Sequence, residues 1–230
     1  MDPSGLRNPL LWGDVCKAVG RPELSEDRVH AYRTLREAYG EYYTVKEGHR
    51  HEVLSYVMEN DEETQQAFME AEPRLLGHGD HVHEVMQTLC DMGIILDVVS
   101  ELIRTVGPVD QNVILRFLTA HDLRRYFRYL ITPLGKIDMG SGQVIDAQYR
   151  GHTKGQGTIY DVLVADLRSQ GIAPAEAVMV GDRPSTDIEP AHIRGLRTVQ
   201  YSGYSHWPPT PAADAVIHDF LALPPLIAAW

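Results

Sequence analysis

Two carboxylates, Asp182 and Asp187, follow directly after an apolar segment at 177–180. Gly181, which lies between the segment and Asp182, allows the backbone to turn sharply at the end of a strand. Hard oxygen ligands of this kind suit Mg²⁺, which typically takes one or two carboxylates together with water and phosphate. The pattern therefore indicates a magnesium site. The alternative is that Asp182 only begins a turn and Asp187 only caps the next helix.

Apolar segments suited to buried strands alternate with segments of helical periodicity in the second part of the chain. The predicted strands are 94–99, 129–132, 177–180 and 197–201, and the predicted helices are 82–92, 112–126, 158–170 and 188–194. Strands separated by helices imply right-handed crossovers, so the fold class is α/β with a doubly wound parallel sheet. In such sheets the chemistry lies at the carboxyl ends of the strands, which is where Asp182 and Asp187 fall.

The first part of the chain has apolar residues at helical spacing and no convincing strand. We therefore predict two domains: a core of residues 1–20 and 73–230, and a small all-helical domain of residues 21–72. The glycine-rich segment 133–153 is predicted to be a long loop or a hairpin, and loops of this length are often functional.

The composition limits the classes of partner. Acidic residues outnumber basic ones by 32 to 21 and give a net charge of -11, which argues against a broad nucleic-acid surface. A small phosphorylated substrate is compatible with this charge. No apolar run approaches the roughly 20 residues that span a membrane, and the start of the chain does not resemble a secretory signal. With two cysteines and no disulfide framework, we expect a cytoplasmic protein. The sequence leaves its oligomeric state open, a homo-oligomer included.

Three motifs occur in an order that resembles the haloacid dehalogenase superfamily. Asp182 and Asp187 resemble the fourth motif of that family, and Lys154 at the opening of a helix resembles the third. A strand closed by Ser100 resembles the second. The resemblance covers roughly residues 76–220, although the positions after the lysine where the family commonly has proline are glycine here. It implies a Rossmann-like core, a helical cap and hydrolase activity.

The resemblance also implies roles for individual side chains. A phosphoryl group in transfer mainly needs positioning and neutralisation of charge. Lys154 can balance charge on the phosphate and the nucleophile, and Ser100 can donate a hydrogen bond to a phosphate oxygen. Arg183, inside the fourth motif, is a further candidate for substrate binding. The alternatives are a surface lysine at 154 and a helix N-cap at 100.

The first motif of the family, Asp-x-Asp-x-Thr, is altered in this chain. Its best match places Asp2 at the nucleophile, Ser4 at the general acid and Leu6 at the threonine. The resemblance implies that Asp2 attacks phosphorus, and that Asp2 and the backbone carbonyl of Ser4 bind the metal. The same residues are also typical of an ordinary turn. The apolar strand expected before Asp2 is absent, so we expect exposed neighbours or a segment from elsewhere, such as a second chain, in its place. A reading frame that begins further upstream would explain the same absence.

The favoured function is Mg²⁺-dependent hydrolysis of a small phosphorylated metabolite through an aspartyl-phosphate intermediate. Loss of the general acid typically removes about 10²–10⁴-fold of the rate, so a non-catalytic binding or assembly module is the main alternative. A dehalogenase, which also lacks the second aspartate, and a phosphonatase-like hydrolase that uses Lys46 or Lys17 are less favoured.

Overall fold

The computed structural model describes residues 10–39, 52–75, 77–101, 112–203 and 207–230. Its contacts divide the chain into two compact units. One unit contains the described residues up to His78 together with 112–124, and the other contains 79–101 and the described residues from Arg125 onward. Among the described residues, no helix combines the length and the hydrophobicity needed to cross a bilayer.

The described elements follow one another in a fixed order. They are α1 (Leu10–Ala18), α2 (Ser25–Tyr39), α3 (Glu62–Leu75), α4 (Val82–Asp91), β1 (Leu96–Val99), α5 (Val113–Ala120), β2 (Phe127–Thr132), β3 (Gly135–Asp138), β4 (Val144–Asp146), α6 (Thr158–Ser169), β5 (Val178–Gly181), α7 (Glu189–Ile193), β6 (Arg197–Tyr201), β7 (Ala215–Ile217) and α8 (Leu223–Ala228). Single helical turns lie at Pro22–Leu24, Val53–Val57, Arg124–Tyr126, Pro174–Glu176, Pro184–Ile188 and Phe220–Ala222.

The first unit is helical, and α1 packs against both α2 and α3 while α5 packs against α3. A buried arginine ties α2 to the turn that follows it. The Arg28 guanidinium donates to the carbonyl of Val57 and pairs with Glu59 at 3.2 Å. Burial of a guanidinium is costly unless its donors find acceptors. These two acceptors serve the two terminal nitrogens, whereas Nε of Arg28 is buried without a hydrogen-bond partner.

The predicted domains, 1–20 with 73–230 as the core and 21–72 as the helical domain, stay a prediction, and the two contact units are grouped differently. Both α1 and α5 pack with the helices of the first unit. The physical reason is amphipathicity, because each helix has an apolar face to bury. Val15 of α1 and Phe117 of α5 are both buried, as apolar side chains on packed helix faces should be.

The second unit contains a sheet of the order β1-β2-β3-β4. β1 and β2 are parallel, with Val98 opposite Leu130 and Val99 opposite Ile131. β3 and β4 continue the sheet in antiparallel fashion. The segment predicted as a long loop or a hairpin therefore contains a hairpin of two short strands.

A second sheet contains β5, β6 and β7, all parallel, with β6 in the middle. The α/β class is confirmed, but the strands form two hydrogen-bonded sheets, and β3 and β4 are antiparallel. In the part of the chain that the structure describes, no strand links β1 to β5. The prediction that a strand is missing before Asp2 concerns residues outside the described ranges, so it stays a prediction.

One apolar core joins the two sheets of this unit to α6. Its members are buried residues from β2, α6, α7 and the connecting loops: Ile131, Tyr149, Ile159, Tyr160, Val164, Ala191 and Leu196. Val99 of β1 and Met179 of β5 pack against the same cluster. Because both strands rest on one core, their carboxyl ends are held at the same side of the unit, where the candidate site lies.

Candidate functional site

A tight turn follows β5 and carries both predicted acidic residues. Asp182 comes directly after the strand and is half-buried. Asp187 is the fourth residue of the π-helical turn Pro184–Ile188 and is buried. The turn folds back so closely that a Cβ at Gly181 would lie 2.6 Å from the Asp187 carboxyl carbon. Glycine is therefore required here for close approach, and its sequence position was the signal that revealed the turn.

The Lys154 ammonium lies between the ends of the two sheets. Its Nζ is 2.5 Å from Oδ1 of Asp187, and the two side chains are 13% and 6% exposed. The same ammonium donates to the carbonyl of Val99, the last residue of β1, at 3.3 Å. The structure thus brings two of the predicted site residues, Lys154 and Asp187, into direct contact at the carboxyl ends of β1 and β5.

The ion pair holds Lys154 in its charged form. Burial by itself lowers the pKa of the Lys154 ammonium, but the neighbouring Asp187 carboxylate outweighs that effect and the pKa is raised above its ordinary value. At neutral pH the site therefore contains a fixed, largely desolvated positive charge. Such a charge can stabilise a phosphoryl group more strongly than an exposed lysine can.

Both carboxylate oxygens of Asp187 are engaged within the protein. Oδ2 accepts the backbone N–H of Arg183 at 3.1 Å, and Oδ1 accepts the Thr186 hydroxyl at 3.4 Å in addition to the lysine. Tyr160 secures the same turn, because its hydroxyl donates to the carbonyl of Thr186 at 2.9 Å. These contacts favour Asp187 as the residue that orients Lys154.

Two further predicted site residues of the second unit, Ser100 and Arg183, follow Val99 and Asp182 directly in the sequence. Ser100 follows β1, is half-buried, and extends the pairing with β2 through an N–H···O bond to Ile131 of 2.9 Å. Arg183 is half-buried in the loop between Asp182 and the π-helical turn. Asp2 and Ser4 lie outside the described residues, as does Leu6. The roles assigned to all these side chains remain predictions.

In the ranges that the structure describes, the carboxylates of this site suit magnesium but not a metal ion bound by protein side chains alone. Among the described residues, no three His, Cys, Asp or Glu side chains group closely enough to form a metal site by themselves. Mg²⁺ commonly keeps several waters and uses only one or two carboxylates beside a phosphate. Asp182, which directly follows β5 and precedes the turn that carries Asp187, offers a single carboxylate of this kind.

Two residues that contact this site were not found by sequence reasoning. The Glu101 carboxylate accepts the backbone N–H groups of Lys154 and, at 3.1 Å, Gly155. Tyr160 supports the Asp187 turn as described above. Each of these side chains binds a backbone group of a residue far away along the chain, which the sequence does not reveal. The only sequence signal was the position of Glu101 next to Ser100.

Comparisons with known proteins agree with this architecture. Residues 153–222, which include Lys154, Asp182 and Asp187, match a protein-family model described as HAD-hydrolase-like. A search of curated proteins finds no match.

Several solved structures share the fold. A HAD phosphatase from Thermococcus onnurineus has a TM-score of 0.60 at 19% identity, covering 95% of this chain and 90% of its own. A 2-haloacid dehalogenase from Pseudomonas syringae has a TM-score of 0.54 at 20% identity, covering 99% and 93%. A HAD-hydrolase-type protein from Bacillus subtilis, bound to magnesium, has a TM-score of 0.55 at 16% identity, covering 95% and 93%. The chain has the fold of the haloacid dehalogenase superfamily, and the resemblance predicted from its motifs is confirmed.

Proposed function

We propose that this chain is a hydrolase of the haloacid dehalogenase type that removes phosphate from a small phosphorylated metabolite with the help of Mg²⁺. The observation that carries the proposal is the buried Lys154 ammonium, held by Asp187 and by the carbonyl at the end of β1. A fixed cation together with a carboxylate that can bind a metal ion is what a transferring phosphoryl group requires, because catalysis of that reaction rests on positioning and charge.

Each side chain has a defined task in this proposal. Lys154 and Ser100 bind the phosphoryl oxygens, and Arg183 adds a contact to the substrate. Asp182 holds the metal, which neutralises charge on the phosphoryl group when it is bound. Asp187 keeps the Lys154 side chain charged and fixes its orientation. The contacts of Oδ1 and Oδ2 of Asp187 support this role.

The nucleophile and the remaining metal contacts belong to the altered first motif. Asp2 would attack phosphorus to give an aspartyl phosphate, and a water molecule would then release inorganic phosphate. Asp2 and the Ser4 carbonyl would also face the metal. Because Ser4 lacks an acidic group, water or the substrate itself would have to protonate the leaving oxygen. We therefore expect slow turnover.

The second candidate is a binding or assembly module that keeps the fold without catalysis. It is favoured by one observation, the replacement of the second aspartate and the threonine of the first motif by Ser4 and Leu6. A dehalogenase is a weaker candidate, supported by the shared fold of the Pseudomonas syringae enzyme and by Ser4. A phosphonatase-like reaction would need Lys46, which lies outside the described residues, or Lys17, which is exposed on α1 beside Asp14.

The test is hydrolysis of a panel of phosphate esters by the purified chain with Mg²⁺ and with EDTA. Asp182→Asn removes the proposed metal ligand. Asp91→Asn is the matched control, because Asp91 ends α4 on the amino side of β1 and is exposed. We expect phosphate release that requires Mg²⁺, is lost in Asp182→Asn and persists in Asp91→Asn. Absence of turnover from every ester leaves the binding module, and metal-independent chloride release from a chlorinated acid would instead identify a dehalogenase.

A further inference from the structure

The Glu101 carboxylate anchors the loop that carries Lys154. Its Oε1 accepts the backbone N–H of Lys154 and, at 3.1 Å, the N–H of Gly155. Two consecutive N–H groups converging on one oxygen form a small anion-binding nest, and here the anion is supplied by the protein. Hydrogen bonds to an ionised acceptor are about twice as strong as neutral ones.

Hydrogen bonds within the loop between β4 and α6 fix its shape. The N–H of Thr153 donates to the Thr158 hydroxyl at 3.0 Å, and the N–H of Gly157 donates to the carbonyl of Lys154 at 2.9 Å. These bonds shape the loop but do not connect it to the sheet. Glu101 supplies a connection, because it follows the end of β1 by two residues.

Lys154 is consequently held at two points by the same end of β1. Its backbone N–H is bound by Glu101, and its ammonium donates to the carbonyl of Val99 at 3.3 Å before it meets Asp187. The geometry points to Glu101 as a positioning residue that sets where the Lys154 ammonium lies for the phosphoryl transfer, an inference that rests on the proposed function. Glu101 acts through the loop and does not itself need to touch the substrate.

The chemistry of the side chain predicts which replacements keep the anchor. Glutamine has the same length and a neutral oxygen that can accept both N–H groups. Alanine offers no acceptor and leaves two N–H groups without one, which costs more than a single lost hydrogen bond. Glu101→Gln should therefore preserve the loop, and Glu101→Ala should release it.

The direct test is NMR on protein labelled with ¹⁵N-lysine, which reports on the loop without any substrate. The chain has lysines only at 17, 46, 136 and 154, so few signals are expected. Lys136 is the internal control, because it lies in β3 and its ammonium pairs with Asp166 at 2.6 Å. In Glu101→Ala we expect the Lys154 amide to exchange with deuterium at least about tenfold faster and its ammonium signal to broaden, with Lys136 unchanged. In Glu101→Gln the Lys154 amide should stay within about threefold of the parent.

Kinetics on the best ester then separate positioning from general damage. Glu101→Ala should lower kcat by about tenfold or more with a smaller change in KM, and Glu101→Gln should recover most of kcat. Unchanged Lys154 exchange in Glu101→Ala, or equal loss in both variants, would overturn the inference. If no ester is turned over, the NMR result still decides whether Glu101 anchors Lys154, while the proposed hydrolysis fails separately.

Discussion

At the residue scale, the site depends on a buried charge pair whose members cannot be removed singly without cost. Lys154 and Asp187 are both almost fully buried and lie 2.5 Å apart. Breaking a buried pair leaves one charge in a medium of low dielectric constant, whereas replacing both charges can be nearly neutral.

The first prediction concerns that pair. Lys154→Met should lower the free energy of unfolding by about 3–5 kcal/mol, and adding Asp187→Asn to it should recover part of the loss. Urea unfolding followed by circular dichroism measures both. The exposed Lys17→Met on α1 is the control and should cost under about 0.5 kcal/mol. Equal effects of Lys154→Met and Lys17→Met would refute the buried pair.

A glycine comparison tests the close approach behind Asp187. In Gly181→Ala the new methyl would lie 2.6 Å from the Asp187 carboxyl carbon, whereas a methyl at Gly155 would meet nothing within 4 Å. We expect Gly181→Ala to cost about 1–3 kcal/mol of stability, because the site has no room for an extra methyl group. It should also reduce phosphate release. Gly155→Ala should leave the stability nearly unchanged, and urea unfolding followed by circular dichroism measures both variants.

The contact between Lys154 and Asp187 could be anticipated from the sequence because both residues lie at predicted element ends. Asp182 and Asp187 follow one predicted strand, and Lys154 opens a predicted helix, so the topology alone brings them to one edge. Glu101 and Tyr160 could not be predicted, because they bind backbone groups of distant residues, and a backbone group leaves no trace in residue type.

At the element scale, burial differs between two neighbouring strands. β6 lies between β5 and β7 with its three central residues buried, whereas the four residues of β5 are all half-buried. In the described part of the chain, β5 pairs only with β6. Backbone amides exchange slowly when their hydrogen bonds are buried within a sheet.

We therefore predict that amides of β6 exchange with deuterium more slowly than those of β5, by about tenfold or more. Hydrogen exchange with NMR detection resolves the individual amides, and the exposed β4 provides a fast-exchanging reference. Equal protection of β5 and β6 would mean that another segment covers the edge of β5, as expected if a strand from elsewhere completes the sheet.

The elements themselves were predicted with uneven success. The buried strands at 177–180 and 197–201 and the helix at 158–170 correspond closely to β5, β6 and α6, because long apolar or periodic segments carry a strong signal. The predicted helix at 112–126 is shorter, since α5 ends at Ala120 and Asp122 adopts a positive φ of 52°. The sequence did not distinguish a loop from a hairpin at 133–153, because β3 and β4 are too short to show a clear alternation of apolar and polar residues.

At the scale of the whole molecule, several buried groups respond to alkaline pH in the same direction. Burial and a hydrogen bond of 2.9 Å to Asp166 raise the pKa of Tyr149, and burial raises that of Tyr160. The pKa of Lys154 is also raised, by Asp187 against the effect of burial. Each group keeps its proton longer in the folded state than in the unfolded one.

The sign of the pH dependence follows from that difference. Below the unfolded-state pKa values of about 10 the stabilising contribution is complete, and it is lost as the pH rises toward the folded-state values. We predict that the free energy of unfolding falls above about pH 10, and that Tyr149→Phe makes the fall less steep. Tyr56→Phe is the control, because Tyr56 is exposed. An identical alkaline slope in the parent and in Tyr149→Phe would contradict this interpretation.

The division into two units shows what sequence could not reveal about the whole molecule. The boundary of the helical domain was expected near residues 20 and 72, yet 112–124 also joins the helical unit. At 112–124 the chain is again part of the first unit, and no change in amino-acid composition indicates this. Only the contacts between helices distant in the sequence reveal it.

If Asp182 and Lys154 together form a metal-assisted phosphate site, calorimetric titration with inorganic phosphate should detect binding at that site. In the parent protein with Mg²⁺ we predict measurable binding that weakens by at least about tenfold when EDTA removes the metal or when Asp182 is replaced by Asn, while Asp91→Asn binds as the parent does. Phosphate binding of equal strength with and without Mg²⁺ and in Asp182→Asn, or no binding under any of these conditions, would mean that these residues do not form such a site.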